Sequence, residues 1–126
     1  MTFRALAFLL VATGFLIAGE PKTASPLLAG EALETLWTEG GFTEGAAAGP
    51  DGNVYFSDFA QPFESGPARV MKFDPRTKKV TVHCPDSGMG NGLMFTREGR
   101  LIGCCASPLG GHRGLVEFKP DGSVQV

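Results

Sequence analysis

Few residues in this chain belong to types that do chemistry, and they are scattered. Three cysteines stand at Cys84, Cys104 and Cys105, and two histidines at His83 and His112. Zinc sites ask for spacings such as Cys-x-x-Cys or His-x-x-x-His, which this set does not supply. The cysteines read as small buried side chains. Adjacent Cys104 and Cys105 would point to opposite faces of a strand, and a disulfide from Cys84 to either of them stays open. A thiol or redox role is a further alternative, without a helix N-terminus or a cluster of positive charge nearby to favour a thiolate. Glu44 lies in a glycine-rich loop, where a carboxylate is ordinarily solvated, and Asn91-Gly92 is a common turn dipeptide. Taken alone, neither marks a site.

The elements that could position these residues are strands. In 126 residues the chain carries 18 glycines and 9 prolines, with few charged side chains, a balance expected of short strands joined by many turns. The 10 phenylalanines supply material for a core. Thirteen acids against eleven bases leave the chain weakly acidic. It has no basic stripe that could follow a phosphate backbone, which excludes nucleic acid as the expected partner.

The N-terminus predicts export. Arg4 precedes an uncharged apolar run from Ala5 to Ala18, shorter than the roughly 20 residues of a membrane-spanning helix. Residues 1–19 therefore read as a signal-peptide helix with cleavage somewhere in 18–24, and the protein as periplasmic or secreted. An uncleaved N-terminal anchor is the alternative, and the only membrane contact expected. Residues 20–31, rich in Pro, Ser, Ala and Gly, read as a linker.

The most informative feature is internal repetition. Gly49-Pro50-Asp51-Gly52-Asn53-Val54-Tyr55-Phe56-Ser57-Asp58 is matched by Thr96-Arg97-Glu98-Gly99-Arg100-Leu101-Ile102-Gly103-Cys104-Cys105. Each is a turn with glycine where positive φ is needed, followed by a short strand. Downstream, Arg69-Val70-Met71-Lys72-Phe73-Asp74-Pro75 is matched by Gly114-Leu115-Val116-Glu117-Phe118-Lys119-Pro120, and each leads to a further alternating strand, 79–83 or 123–126. Both signatures recur about 45 residues apart, the period of a four-stranded propeller blade. Val54 and Phe56 on one side of their strand, with Tyr55 and Ser57 on the other, predict a sheet covered on both faces.

These residues resemble the family of gluconolactonase, regucalcin (senescence marker protein) and luciferin-regenerating enzyme. The likeness runs from Leu36 to Val126. It rests on Phe42-Thr43-Glu44-Gly45, on 50–58, on Val70-Met71-Lys72-Phe73-Asp74-Pro75, and on Asn91-Gly92-Leu93-Met94-Phe95 with Gly99-Arg100-Leu101. It implies an all-β fold, about two blades of a six-bladed β-propeller over 32–126, with blade one at about 42–84 and blade two at about 89–126. It also implies one divalent cation, calcium or zinc, and hydrolysis of a small-molecule sugar lactone or related ester. In that chemistry the cation polarises the carbonyl or lowers the pKa of a bound water, and a carboxylate takes the water's proton.

By the same resemblance Glu44 matches the family's first metal ligand and Asn91 an amide that lines the substrate pocket. The general base is expected in later blades. The family's Glu-Gly-Pro-x-Trp is here Glu44-Gly45-Ala46-Ala47-Ala48. A Cys-Glu at the end of blade two's strand is Cys104-Cys105, and an arginine two residues before the pocket Asn is Met89.

Six blades at about 45 residues need roughly 270 residues. The expectation is therefore a truncated N-terminal portion of a gluconolactonase-like hydrolase, inactive as written. The alternative is a non-catalytic propeller-type binding module completed by self-association. The segment around Trp37 is a candidate ring-closing strand.

Overall fold

Alternating apolar strands broken by Asp-Gly and Glu-Gly turns yield, among the described residues, eight strands: β1 Phe42–Ala48, β2 Val54–Phe59, β3 Arg69–Asp74, β4 Lys79–Cys84, β5 Gly90–Phe95, β6 Leu101–Cys105, β7 Gly114–Phe118 and β8 Val124–Gln125. The computed structural model describes residues 32–62, 65–106 and 113–126. The expected signal segment (1–19) and linker (20–31) lie outside them, as does His112. Among the described residues there is no helix, and so none long and apolar enough to cross a membrane. The fold is all-β.

Two four-stranded antiparallel sheets form, in the orders β1-β2-β3-β4 and β5-β6-β7-β8. The repeat seen in the sequence is reproduced rung by rung. In the first sheet Val54 pairs with Phe73, Tyr55 with Lys72, Phe56 with Met71 and Ser57 with Val70. In the second, Leu101 pairs with Phe118, Ile102 with Glu117, Gly103 with Val116 and Cys104 with Leu115. The turn glycines Gly52 and Gly99 adopt the positive φ expected of them, 79° and 80°. The last strand of the second sheet is only 2 residues long, shorter than the sequence pattern suggested.

The core lies between the sheets. Tyr55, Val70 and Cys84 from the first pack against Leu101, Cys105, Val116 and Phe118 from the second, with Leu93, Phe95 and Val124 closing the edges. Val70 is fully buried, and Val116 and Phe118 are each 2 % exposed. Burial of each such side chain contributes about 1.5–3 kcal/mol. A smaller cluster of Phe59, Ala68 and Met89 packs separately.

Two expectations are corrected. Residues 32–38 form no strand. Trp37 instead sets its ring edge-on to Phe56, with centroids 5.6 Å apart, on the face of the first sheet turned away from the second. Burial of all three cysteines holds for Cys84 and Cys105 but fails at Cys104, which is exposed, and all three are free thiols. Alternation explains the difference: with Cys105 facing the core, its neighbour must face outward.

Candidate functional site

The backbones of the two sheets are closest where β5 passes β1 and β2. Glu44 and Asn91 stand on those first strands, 47 positions apart, the same interval that separates Gly52 from Gly99. They are repeat counterparts, and the fold brings them together: Asn91 Nδ2 donates to Glu44 Oε1 over 2.7 Å. Glu44 is half-buried, while Asn91 is exposed.

Local backbone irregularity makes this meeting possible. Glu44 pairs with Ser57 and Ala47 with Tyr55, so β1 carries one extra residue between them. Gly90 pairs with Cys105 and Leu93 with Gly103, so β5 carries a matching bulge at Asn91-Gly92. Such bulges bend a strand and re-aim its side chains. Gly45, inside the first bulge, has φ +65°, and a Cβ built there would fall 2.0 Å from the carbonyl oxygen of Asn91. Only glycine lets the two strands approach this closely.

The Asn91 backbone is fixed from a second direction. Ser57, fully buried, donates its hydroxyl to the Asn91 carbonyl oxygen over 2.7 Å. One place on β5 is thus held by a side chain of β1 and a side chain of β2. Sequence reasoning missed Ser57; its signal was a hydroxyl at a core-facing position of an otherwise apolar strand.

Beside Glu44 a groove of about 380 Å³ opens between the Trp37 segment and the first sheet, walled by Trp37, Phe56, Phe73 and Val80. Below it, buried Asp58 pairs with Arg69 and accepts from the Gly41 N–H at 2.9 Å. That ion pair also escaped the sequence, because its partners meet only through the β2–β3 register.

The other end of the sheet sandwich carries a second polar group. Asp51 accepts from Asn53 Nδ2 at 2.6 Å and Tyr55 Oη at 3.0 Å, and pairs with Lys72 at 2.9 Å. Burial pushes the Asp51 carboxyl up, but Lys72 and the hydrogen bonds from Asn53 and Tyr55 outweigh it and hold it well below the usual range. The bond to Asp51 raises Lys72 in turn. Burial, then the positive charge of Lys72, lowers His83. A cleft of about 480 Å³ lies here, lined by Asp51, Lys72, His83, Glu98, Arg100 and Glu117 among others. Its two cations are both neutralised, Lys72 by Asp51 and Arg100 by Glu117.

The thiols are poor nucleophiles where buried. Burial, with a further push from Cys104 and Cys84, raises Cys105 to about 11, and burial raises Cys84 as well. At neutral pH both are protonated.

Among the described residues no three His, Cys, Asp or Glu side chains gather into a group that could hold a metal ion. The carboxylate of Glu44 and the amide of Asn91 are hard oxygen donors, which fit a cation such as calcium in kind, though two side chains do not complete its shell. Comparison with protein-family models, with curated proteins and with solved structures found no match for this chain.

Proposed function

We propose that the two sheets are neighbouring blades of a β-propeller of the gluconolactonase kind, and that Glu44 and Asn91 form part of a divalent-cation site for hydrolysis of a sugar lactone or related ester. The observation that carries this reading is the 2.7 Å hydrogen bond between them. The resemblance singles out these two residues separately, and they stand at matching places on the first strands of successive repeats. Counterparts on the inner strands of adjacent blades converge where blades surround an axis, so the meeting supports a position at a channel mouth.

The roles of the pair follow from their chemistry. Glu44 supplies an anionic oxygen, and Asn91 both orients that carboxylate through Nδ2 and carries a neutral oxygen, Oδ1. Calcium takes about six to eight oxygens, so the remaining donors come from water and from elements outside these two sheets. When bound, the cation would polarise a lactone carbonyl or acidify a bound water. Among the described residues Glu44 does not belong to a group of three or more His, Cys, Asp or Glu, so the general base is sought in elements outside these two sheets. The Ala5–Ala18 run supports an exported protein.

Calorimetric titration of calcium, and of zinc, into the wild type and Glu44→Gln tests the reading, with acid release from gluconolactone followed in parallel. Saturable binding by the wild type, weakened about tenfold or more in the variant, is expected. Equal binding by the two proteins, or none by either, removes the cation from the reading.

A further inference from the structure

The contact between the two sheets joins unlike faces. The first sheet contributes Tyr55 and Val70, and the second contributes Leu101, Val116 and Phe118. The shared register assigns counterparts in the other sheet: Ile102 and Leu115 match Tyr55 and Val70, while Val54, Met71 and Phe73 match Leu101, Val116 and Phe118. Each sheet therefore has a forward face and a rear face, and the observed contact sets forward against rear. Among the described residues, one face of each kind meets no second sheet.

Both leftover faces are apolar. The unused forward face, on the second sheet, carries Ile102, exposed Cys104, Leu115 at 65 % exposure and Met94 at 64 %. The unused rear face, on the first sheet, carries Phe56, Met71, Phe73, Val80 and Val82; Met71 and Phe73 are buried and only Val82, at 48 % exposure, is open. Among the described residues the irregular segment around Trp37 lies over this face. The open apolar surface is that of the forward face, and such surface on a strand face marks an interaction site. The used contact between repeat counterparts indicates its geometry.

We propose that this chain associates with a second copy of itself head to tail, the forward face of one copy's second sheet seating on the rear face of the other's first sheet. The occupant is specified by the molecule: each copy carries both halves of a contact that it already makes internally, built on the same backbone register. Such a contact is heterologous, so it continues to a closed ring or an open array instead of stopping at a two-fold dimer. Docking on this face requires the Trp37 segment to leave its place over Phe56. Lys72 and its counterpart Glu117 mark the same rung of the two forward faces, and both are already neutralised, by Asp51 and by Lys119 and Arg100. No unpaired charge opposes docking there. A docked sheet would fill the groove that Glu44 also lines, so association is read by mass at positions that touch neither Glu44 nor Asn91, and cation binding separately.

The test uses the full chain and two exposed positions, Leu115→Glu on the forward face and Val82→Glu on the rear face. Masses are read by light scattering over a wide concentration range, with far-UV circular dichroism to verify the fold. The wild type is expected to grow in mass with concentration. Each variant alone weakens association by about a hundredfold, since a carboxylate buried at an apolar contact is left unpaired. Mixed together, the variants form a 1:1 pair, because Val82→Glu retains an intact forward face and Leu115→Glu an intact rear face. Emission of the chain's single tryptophan shifts with the same midpoint as the mass. Should a glutamate variant lose its strand signal, Val82→Thr and Leu115→Thr carry the same test.

A wild type that stays monomeric overturns the proposal, as does association that survives Val82→Glu, which is what pairing of two forward faces, or of the apolar N-terminal runs, would give. Failure of the two variants to pair on mixing overturns it equally.

Discussion

Asn91 hydrogen-bonds Glu44 across the two sheets, from the place in its own repeat that Glu44 occupies in the other. Local attraction alone does not produce such a meeting between residues so distant in the chain. It follows from two copies of one backbone pattern set side by side, with their first strands closest. The bulges in β1 and β5 then turn both side chains toward the same spot.

Ser57 holds this arrangement from beneath, and its loss should be felt at Asn91. Ser57→Ala removes the hydroxyl bonded to the Asn91 carbonyl and is expected to cost about 1–2 kcal/mol, read from the urea midpoint. It should also weaken cation binding while leaving Glu44 intact. A variant as stable as the wild type would show that the hydroxyl contributes nothing to holding β5.

Two glycines separate backbone strain from steric conflict. Gly52 has φ +79° with open space where a Cβ would go, whereas Gly45 has φ +65° and meets the Asn91 carbonyl. Gly52→Ala should cost about 1–2 kcal/mol for the left-handed backbone. Gly45→Ala should cost more, because the strands must also part. Equal losses in parallel denaturant melts would contradict the close approach.

The Asp58–Arg69 pair is asymmetric, with Asp58 at 1 % side-chain exposure and Arg69 at 39 %. Arg69→Met strands a carboxylate in the interior and is expected to cost about 3–5 kcal/mol. Asp58→Asn leaves a guanidinium that reaches water, so its cost should be smaller. Calorimetric melting of both variants checks the order.

Acid should weaken the fold through His83. Its pKa is lowered below the ordinary 6.5 by burial and by Lys72, so the unfolded chain takes up a proton that the folded chain refuses. The stability is present above 6.5 and is lost as pH falls through the lowered value. His83→Phe should flatten that dependence in urea midpoints compared at about pH 7.5 and about pH 5. Cys105 acts in the opposite direction: raised from 9.0 to about 11, it gives up its contribution as pH climbs through that interval. Cys105→Ala should remove this alkaline loss.

Much of the fold could be read from the sequence, because turns and strand alternation are local signals. Gly52, Gly99 and the Phe73–Phe118 correspondence located both sheets, and the alternation of Cys104 with Cys105 located opposite faces. What remained hidden depends on how one sheet seats on the other. Nothing near Ser57 in the chain indicates a bond to Asn91, and nothing near Asp58 indicates Arg69. The Trp37 segment is a candidate strand by its sequence because Leu33 and Trp37 suit alternation, while in the fold it is irregular and Trp37 covers Phe56. Glu44 and Asn91 were individually ambiguous, and only the register between sheets joins them.

The copied rungs of β2–β3 and β6–β7 give the two hairpins one pairing phase, yet they are not interchangeable parts. Moving the first into the place of the second would set Phe56 where Gly103 stands, and a Cβ at Gly103 already falls 2.5 Å from the Phe118 ring. It would also set Asp58 where the buried Cys105 lies. The backbone is thus duplicated while the side chains at the seam have diverged, so each hairpin is fitted to its own place.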